Sequence, residues 1–161
     1  MHISDLAAWC NISFGYNSMG SSNPLWFAKN LYLNGELITD LVIPNSITSI
    51  KYLAFCGCSC ITSIEIHNSV TNINSRAFYN CSGLTSVTIG NKVTSIEDRV
   101  FYNCSGLAEI YCKSTVPPSL GNEVFSNISS SAKIYVPQES VEAYKTEWSS
   151  YADKIVGYEF T

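Results

Sequence analysis

Leu84 to Gly106 reads LTSVTIGNKVTSIEDRVFYNCSG, and the stretch before it, Ile61 to Gly83, reads ITSIEIHNSVTNINSRAFYNCSG. The same skeleton is laid twice, end to end. Subtraction extends it: Phe55, Phe78 and Phe101 are 23 apart, and so are Cys58, Cys81 and Cys104, and Ile50, Ile73 and Ile96. Leu41, Ile64, Val87 and Ile110 keep the same step. A looser copy runs from Leu107 to Ser130, where Phe125 arrives 24 residues after Phe101, so one residue has been added. Ile134-Tyr135-Val136-Pro137 repeats Leu41-Val42-Ile43-Pro44 and opens a last, incomplete turn. A fixed period of this length predicts a solenoid, in which no unit can bury its apolar face alone and each needs its neighbours.

Within one copy, Val87-Thr88-Ile89 alternates apolar and polar residues, the period of a strand with one buried face. Gly90-Asn91-Lys92 turns the chain, and Val93-Thr94-Ser95-Ile96 is a second short extended piece. Arg99 to Cys104 drops Val100, Phe101 and Cys104 inward at near-helical spacing, which predicts a single α or 3-10 turn. Gly83 and Gly106 stand where a left-handed turn is natural. Cys60 holds that place in the first copy, a local irregularity. At the N-terminus, Asp5 to Cys10 reads as a short helix with Ser4 or Asp5 as its cap, and 17–24 as a polar loop. Leu31-Tyr32-Leu33, the turn Asn34-Gly35 and Leu41-Val42-Ile43 read as a hairpin or as consecutive rungs. At the C-terminus, Val141, Tyr144, Lys145 and Trp148 fall at helical spacing, followed by an extended tail. The chain of 161 residues is thus read as one domain: an irregular N-terminal unit over 1–37, four repeats over 38–130, and a C-terminal cap over 131–161.

Net charge is −4 with no basic run, which argues against nucleic acid as a partner. No apolar stretch approaches the ~18 residues of a membrane span, so no membrane insertion is expected. There is also no leader-like basic and apolar start, and the sequence reads as a mature fragment or one segment of something longer. Of the seven cysteines, Cys58, Cys81 and Cys104 form one core column with Phe55, Phe78 and Phe101, and Cys112 takes a strand place held elsewhere by isoleucine. Column cysteines point in parallel, which disfavours disulfides between rungs. Cys10, Cys56 and Cys60 stay open between free thiol and disulfide. Cys56-Gly57-Cys58-Ser59-Cys60 lacks the C-x2–4-C spacing of a structural zinc site, and no metal or other cofactor is expected. His2 and His67 are the two histidines, neither beside a triad-like serine, cysteine or carboxylate; no catalytic residue is assigned. Four sequons occur; those at Asn80 and Asn103 belong to the repeat.

The unit L-T-S-V-T-I-x-x-x-V-T-S-I-x-x-x-x-F-x-x-C resembles the BspA-like leucine-rich repeats, also called the Treponema-type repeat. Leu31 to Leu37 with Asp40 to Pro44, and Tyr135-Val136-Pro137 with Val141 to Tyr144, resemble that family too. Lys51, Asn74 and Glu97 stand where the family commonly places glycine. The resemblance implies an α+β leucine-rich-repeat solenoid, a right-handed superhelix of ~23-residue turns. Each turn would carry two short strands and a short helical turn, with a helical cap closing the C-terminus. It also implies a non-catalytic recognition or adhesion role in a bacterial surface or secreted protein, with a host or neighbouring-cell protein or glycan as partner. A structural spacer or self-associating segment of a larger surface protein is the alternative. The natural binding surface is the outward side of one strand layer. Asp40 and Val42, Ser63, Glu65 and His67, Ser86 and Thr88, then Glu109, Tyr111 and Lys113 fall in register there, with Tyr135 adding aromatic area. The competing reading of the same residues is an ordinary solvated sheet face.

Overall fold

The computed structural model describes residues 1–15 and 22–161. Of the polar loop expected over 17–24, the part over 17–21 lies outside the described residues. The chain opens with β1 (His2–Ile3), α1 (Leu6–Cys10), α2 (Leu25–Ala28), β2 (Tyr32–Leu33) and β3 (Glu36–Leu37). Asp5 caps α1, its carboxylate accepting from the Ala8 amide at 2.9 Å. β2 and β3 form a hairpin, and Asn34 and Gly35 both take the positive φ that its two-residue turn requires; the second arm is Glu36–Leu37, where the sequence points to Leu41-Val42-Ile43. β1 adds in parallel to β2.

The repeats then alternate long and short strands: β4 (Asp40–Val42), β5 (Ser49–Ile50), β6 (Ser63–Ile66), β7 (Asn72–Ile73), β8 (Ser86–Ile89), β9 (Ser95–Ile96), β10 (Glu109–Cys112), β11 (Ser119–Leu120) and β12 (Lys133–Pro137). After a 3-10 turn at Gln138–Ser140 come α3 (Val141–Glu147), a second 3-10 stretch at Ser149–Lys154, and β13 (Ile155–Tyr158). The long strands make one parallel sheet in the order β13-β12-β10-β8-β6-β4, and the short ones a second, β11-β9-β7-β5. Leu41-Val42-Ile43 therefore belongs to the first rung of the long sheet, apart from the hairpin. The register follows the period: Ile64 pairs with Leu41 and Val87, and Val87 with Ile110. Between β10 and β12 the step is one residue longer, as it is between β9 and β11. The added residue therefore lies in the corner over 113–118, after Cys112 and before Ser119.

The recurring Thr has a specific task. The Thr71 amide donates to the Thr48 carbonyl at 2.9 Å, Thr94 to Thr71 at 2.8 Å and Ser119 to Thr94 at 3.0 Å. Each hydroxyl donates to the same carbonyl, at 3.2 to 3.3 Å. Thr62 and Thr85 do the same beside the long sheet. Both groups of each threonine thus tie its rung to the preceding one where no strand ladder runs.

The third side of the rung is not helical. Leu53, Arg76, Arg99 and Glu123, two residues before each phenylalanine, take positive φ, and so do Gly57, Asn80, Asn103 and Asn127, two residues after it. A helix would spend every amide within its own turn. Here alternate amides leave the rung: Arg76, Phe78 and Asn80 donate to the carbonyls of Asp98, Val100 and Tyr102 at 2.9 to 3.1 Å. The amides between them close local turns, such as Tyr79 to the Arg76 carbonyl at 3.2 Å. The inward spacing of Val100, Phe101 and Cys104 is real, but consecutive turns produce it.

Gly83 and Gly106 are not left-handed either. A Cβ on Gly83 would stand 2.1 Å from the Ser59 carbonyl oxygen, and one on Gly106 3.0 Å from that of Leu84. Close approach of the preceding rung leaves no room for a side chain on Gly83 and little on Gly106. In the first copy the irregular N-terminal segment precedes, and the Cys60 sulfur fills the gap, accepting from the Leu31 amide at 3.3 Å.

One continuous apolar core runs from Trp9 to Ile155. Its spine is a pile of parallel rings, Phe55 on Phe78 on Phe101 on Phe125, with centroids 5.4, 5.4 and 5.6 Å apart. Beside it, the Cys81 and Cys104 thiols are buried and donate to the carbonyls of Phe55 and Phe78, each at 3.2 Å. That bond gives cysteine an advantage over a plain apolar residue at this position. On the last rung, Trp148 packs against Phe125 and donates from its indole to the Pro118 carbonyl at 2.8 Å.

Candidate functional site

Strand alternation buries Ile64, Ile66, Val87, Ile89, Ile110 and Cys112 and turns the residues between them outward. Two outward rows cross the long sheet. One is Asp40, Ser63, Ser86, Glu109 and Lys133; the other is Val42, Glu65, Thr88, Tyr111, Tyr135 and Val156. Nine of the eleven residues expected on the strip from sequence therefore share one face. In the first row the Ser63 and Thr39 hydroxyls donate to Asp40, and these bonds hold its carboxyl below the usual carboxylate range. In the second, Tyr111 and Tyr135 stack at 4.7 Å with 15° between their planes. Burial, then the Glu109 carboxylate, raises the Tyr111 phenol above its ordinary value.

The other two expected residues lie past the strand ends. His67 is half-buried and folded back on its own turn, with Nδ1 accepting from the Ser69 amide at 3.2 Å. Lys113 is exposed, and its backbone amide donates to the Ile89 carbonyl at 3.0 Å. The structure also places on this face residues that sequence reasoning missed. Lys133 sits beside Glu109. Tyr158, 43% exposed, stands edge-on to Tyr111 at 5.5 Å and to Tyr135 at 5.6 Å, and Phe160 meets Tyr158 at 4.9 Å. Alternation in Ile155-Val156-Gly157-Tyr158 was the available signal. It was masked because β13 follows β12 by 21 residues, so the 23-residue step does not reach it.

The remaining reactive groups are occupied by packing. All seven cysteines are free thiols, Cys10 and Cys56 among them. Burial pushes both of these up to about 12. Cys58 and Cys60 approach to 3.5 Å, a contact that lowers Cys60 and raises Cys58. Burial pushes Cys112 up to about 11, and its sulfur lies 3.1 Å from the Tyr144 hydroxyl. Among the described residues, no group of three or more His, Cys, Asp or Glu is arranged to hold a metal ion.

Parallel strands stacked rung on rung, with few helices, define a leucine-rich repeat protein. The family model described as the BspA type leucine-rich repeat region matches residues 27–152, in six copies. With more than half of its length matched, the chain belongs to that family. Among the solved structures that resemble it are two leucine-rich repeat proteins. A leucine-rich repeat protein from Bacteroides ovatus is 27% identical, with 62% of this chain and 30% of that one covered and a TM-score of 0.49. A leucine-rich cell surface protein from Faecalibacterium prausnitzii is 21% identical, with 76% of this chain and 32% of that one covered and a TM-score of 0.54, a likeness of fold. The chain spans about a third of the length of these two structures. No curated protein matches it.

Proposed function

We propose that this chain is a non-catalytic recognition module of a bacterial surface or secreted protein, binding protein or glycan across the outward face of the long sheet. The observation that carries the reading is the mixed row Glu65, Thr88, Tyr111, Tyr135, in which aromatic rings and charged or hydroxyl groups share one face. Aromatic anchors among polar neighbours are the usual make-up of a binding patch. The surface setting extends to this chain the description of the Faecalibacterium protein. No helix among the described residues is long and apolar enough to cross a membrane. The same proposal includes a right-handed solenoid, its irregular N-terminal unit over 1–37, its four repeats over 38–130, and a helical cap over 131–161.

An array of purified matrix proteins and glycans, probed with the wild type, Tyr111→Ala and Glu65→Ala, tests it. Capture that falls in the variants supports the strip; equal capture by all three overturns it. One observation favours a second reading, self-association. Among the described residues the long sheet ends in two edge strands, β4 and β13, each paired on one side, with Val42 56% and Val156 37% exposed. Such edges are templates for further strand pairing.

A further inference from the structure

Tyr111 stands between Tyr135 and Thr88 in its row. Its stack on Tyr135, at 4.7 Å, keeps the ~4.7–4.9 Å spacing of neighbouring strands. One face of the Tyr111 ring is thus taken, and the other looks along the row over Thr88. Threonine is short, so the place where a third ring would continue the stack is empty. An open cavity of about 240 Å³ lies there, lined by Thr88, Tyr111, Lys113, Tyr158, Phe160 and Thr161. The edge-on contacts of Tyr158 with both stacked rings, and of Phe160 with Tyr158, brace this wall.

We propose that this cavity is a carbohydrate subsite, taking one neutral hexopyranose ring stacked on the free face of Tyr111 above Thr88. The proposal rests on the strand layer being the recognition surface, and it narrows the ligand class. Its volume is below the ~300–1,000 Å³ of pockets for drug-sized ligands, and suits a single six-membered ring. A pyranose presents a face of C–H bonds, whose positive hydrogens meet the negative face of an aromatic ring. Its hydroxyls lie at the perimeter, where they need both donors and acceptors. The lining supplies both: the Lys113 ammonium donates and the Thr88 and Thr161 hydroxyls do either, while Glu65, outside the lining but next to Thr88 in the row, is an acceptor. A peptide aromatic would stack on Tyr111 as well, but its hydrocarbon perimeter offers these groups nothing. An acidic sugar is disfavoured, because Glu65 is next to Thr88 in the row and the Glu109 carboxylate accepts from the Tyr111 hydroxyl at 3.4 Å, against one lysine in the lining.

Saturation-transfer NMR on the whole chain tests the subsite. The probes are methyl β-D-glucopyranoside, methyl β-D-galactopyranoside, methyl α-D-mannopyranoside and N-acetyl-tyrosinamide. The expected result is transfer to ring protons of at least one pyranoside. Tyr111→Ala and Thr88→Tyr weaken it about tenfold, the loss of one ring stack, while Tyr111→Phe retains it. Thr88→Tyr fills the cavity with a residue the next rung already carries at the equivalent place, so the fold tolerates it; circular dichroism checks this. No transfer from any pyranoside, or transfer that survives Thr88→Tyr, overturns the proposal. Transfer from N-acetyl-tyrosinamide alone assigns the cavity to a peptide side chain and overturns it too. Protein capture on the array that depends on Glu65, without pyranoside transfer, sinks the sugar subsite alone. Failure of both measurements sinks the strand-layer reading with it.

Discussion

Asn127 holds a left-handed backbone at φ 58° with its side chain exposed, and it is one of a column with Gly57, Asn80 and Asn103. For a residue with a Cβ this conformation costs roughly 1–2 kcal/mol, which asparagine reduces by local hydrogen bonding and glycine avoids. Asn127→Ala is expected to destabilise the chain by about 1 kcal/mol, and Asn127→Gly to leave it unchanged or slightly more stable. Urea denaturation of the two variants measures this, and an alanine variant as stable as the wild type contradicts it. The asparagine column is visible in the sequence, where it reads as part of a helical turn and of three sequons. Its partner column was not legible as a turn at all. Leu53, Arg76, Arg99 and Glu123 are side chains that carry no left-handed preference, and the inter-rung amide bonds set their backbone.

At the scale of the element, the strands are legible because apolar and polar residues alternate along them, and the 23-residue step sets β4, β6, β8 and β10 side by side. What separates adjacent elements was less so. Glycine in a sequence reports equally a positive φ or a close approach, and Gly83 and Gly106 proved to be the second kind. The two sites differ in severity. A methyl group on Gly83 meets backbone oxygen at 2.1 Å, and one on Gly106 at 3.0 Å. Gly83→Ala should therefore cost about 1–3 kcal/mol as an overpacked contact, with Gly106→Ala costing clearly less. Thermal melts of both variants decide it; equal losses would mean that backbone freedom, and not space, selects glycine here. The strip of outward residues was legible for the same reason as the strands. Tyr158 and Phe160 escaped because the connection through α3 breaks the period.

Over the whole molecule, stability is passed between neighbouring rungs, so damage at one end should stay near that end. Trp148 is buried under the last phenylalanine of the ring pile. Trp148→Ala is expected to cost roughly 3–5 kcal/mol. Hydrogen exchange should show protection lost first in β12 and β13 while β6 and β8 keep theirs. Uniform loss across all strands would show a molecule that opens as one unit. The corner over 113–118 has a different bearing on the whole. One residue more than in the earlier rungs fits there, Val116 projects into solvent at 72% exposure, and the strands on either side remain in step. Had that residue entered β10 instead, every side chain beyond it would have changed sides. Corners are thus where a lineage of such chains is free to vary in length. Novel loops can be hung there, beside Lys113 and the tyrosines, while the wall behind them stays as it was.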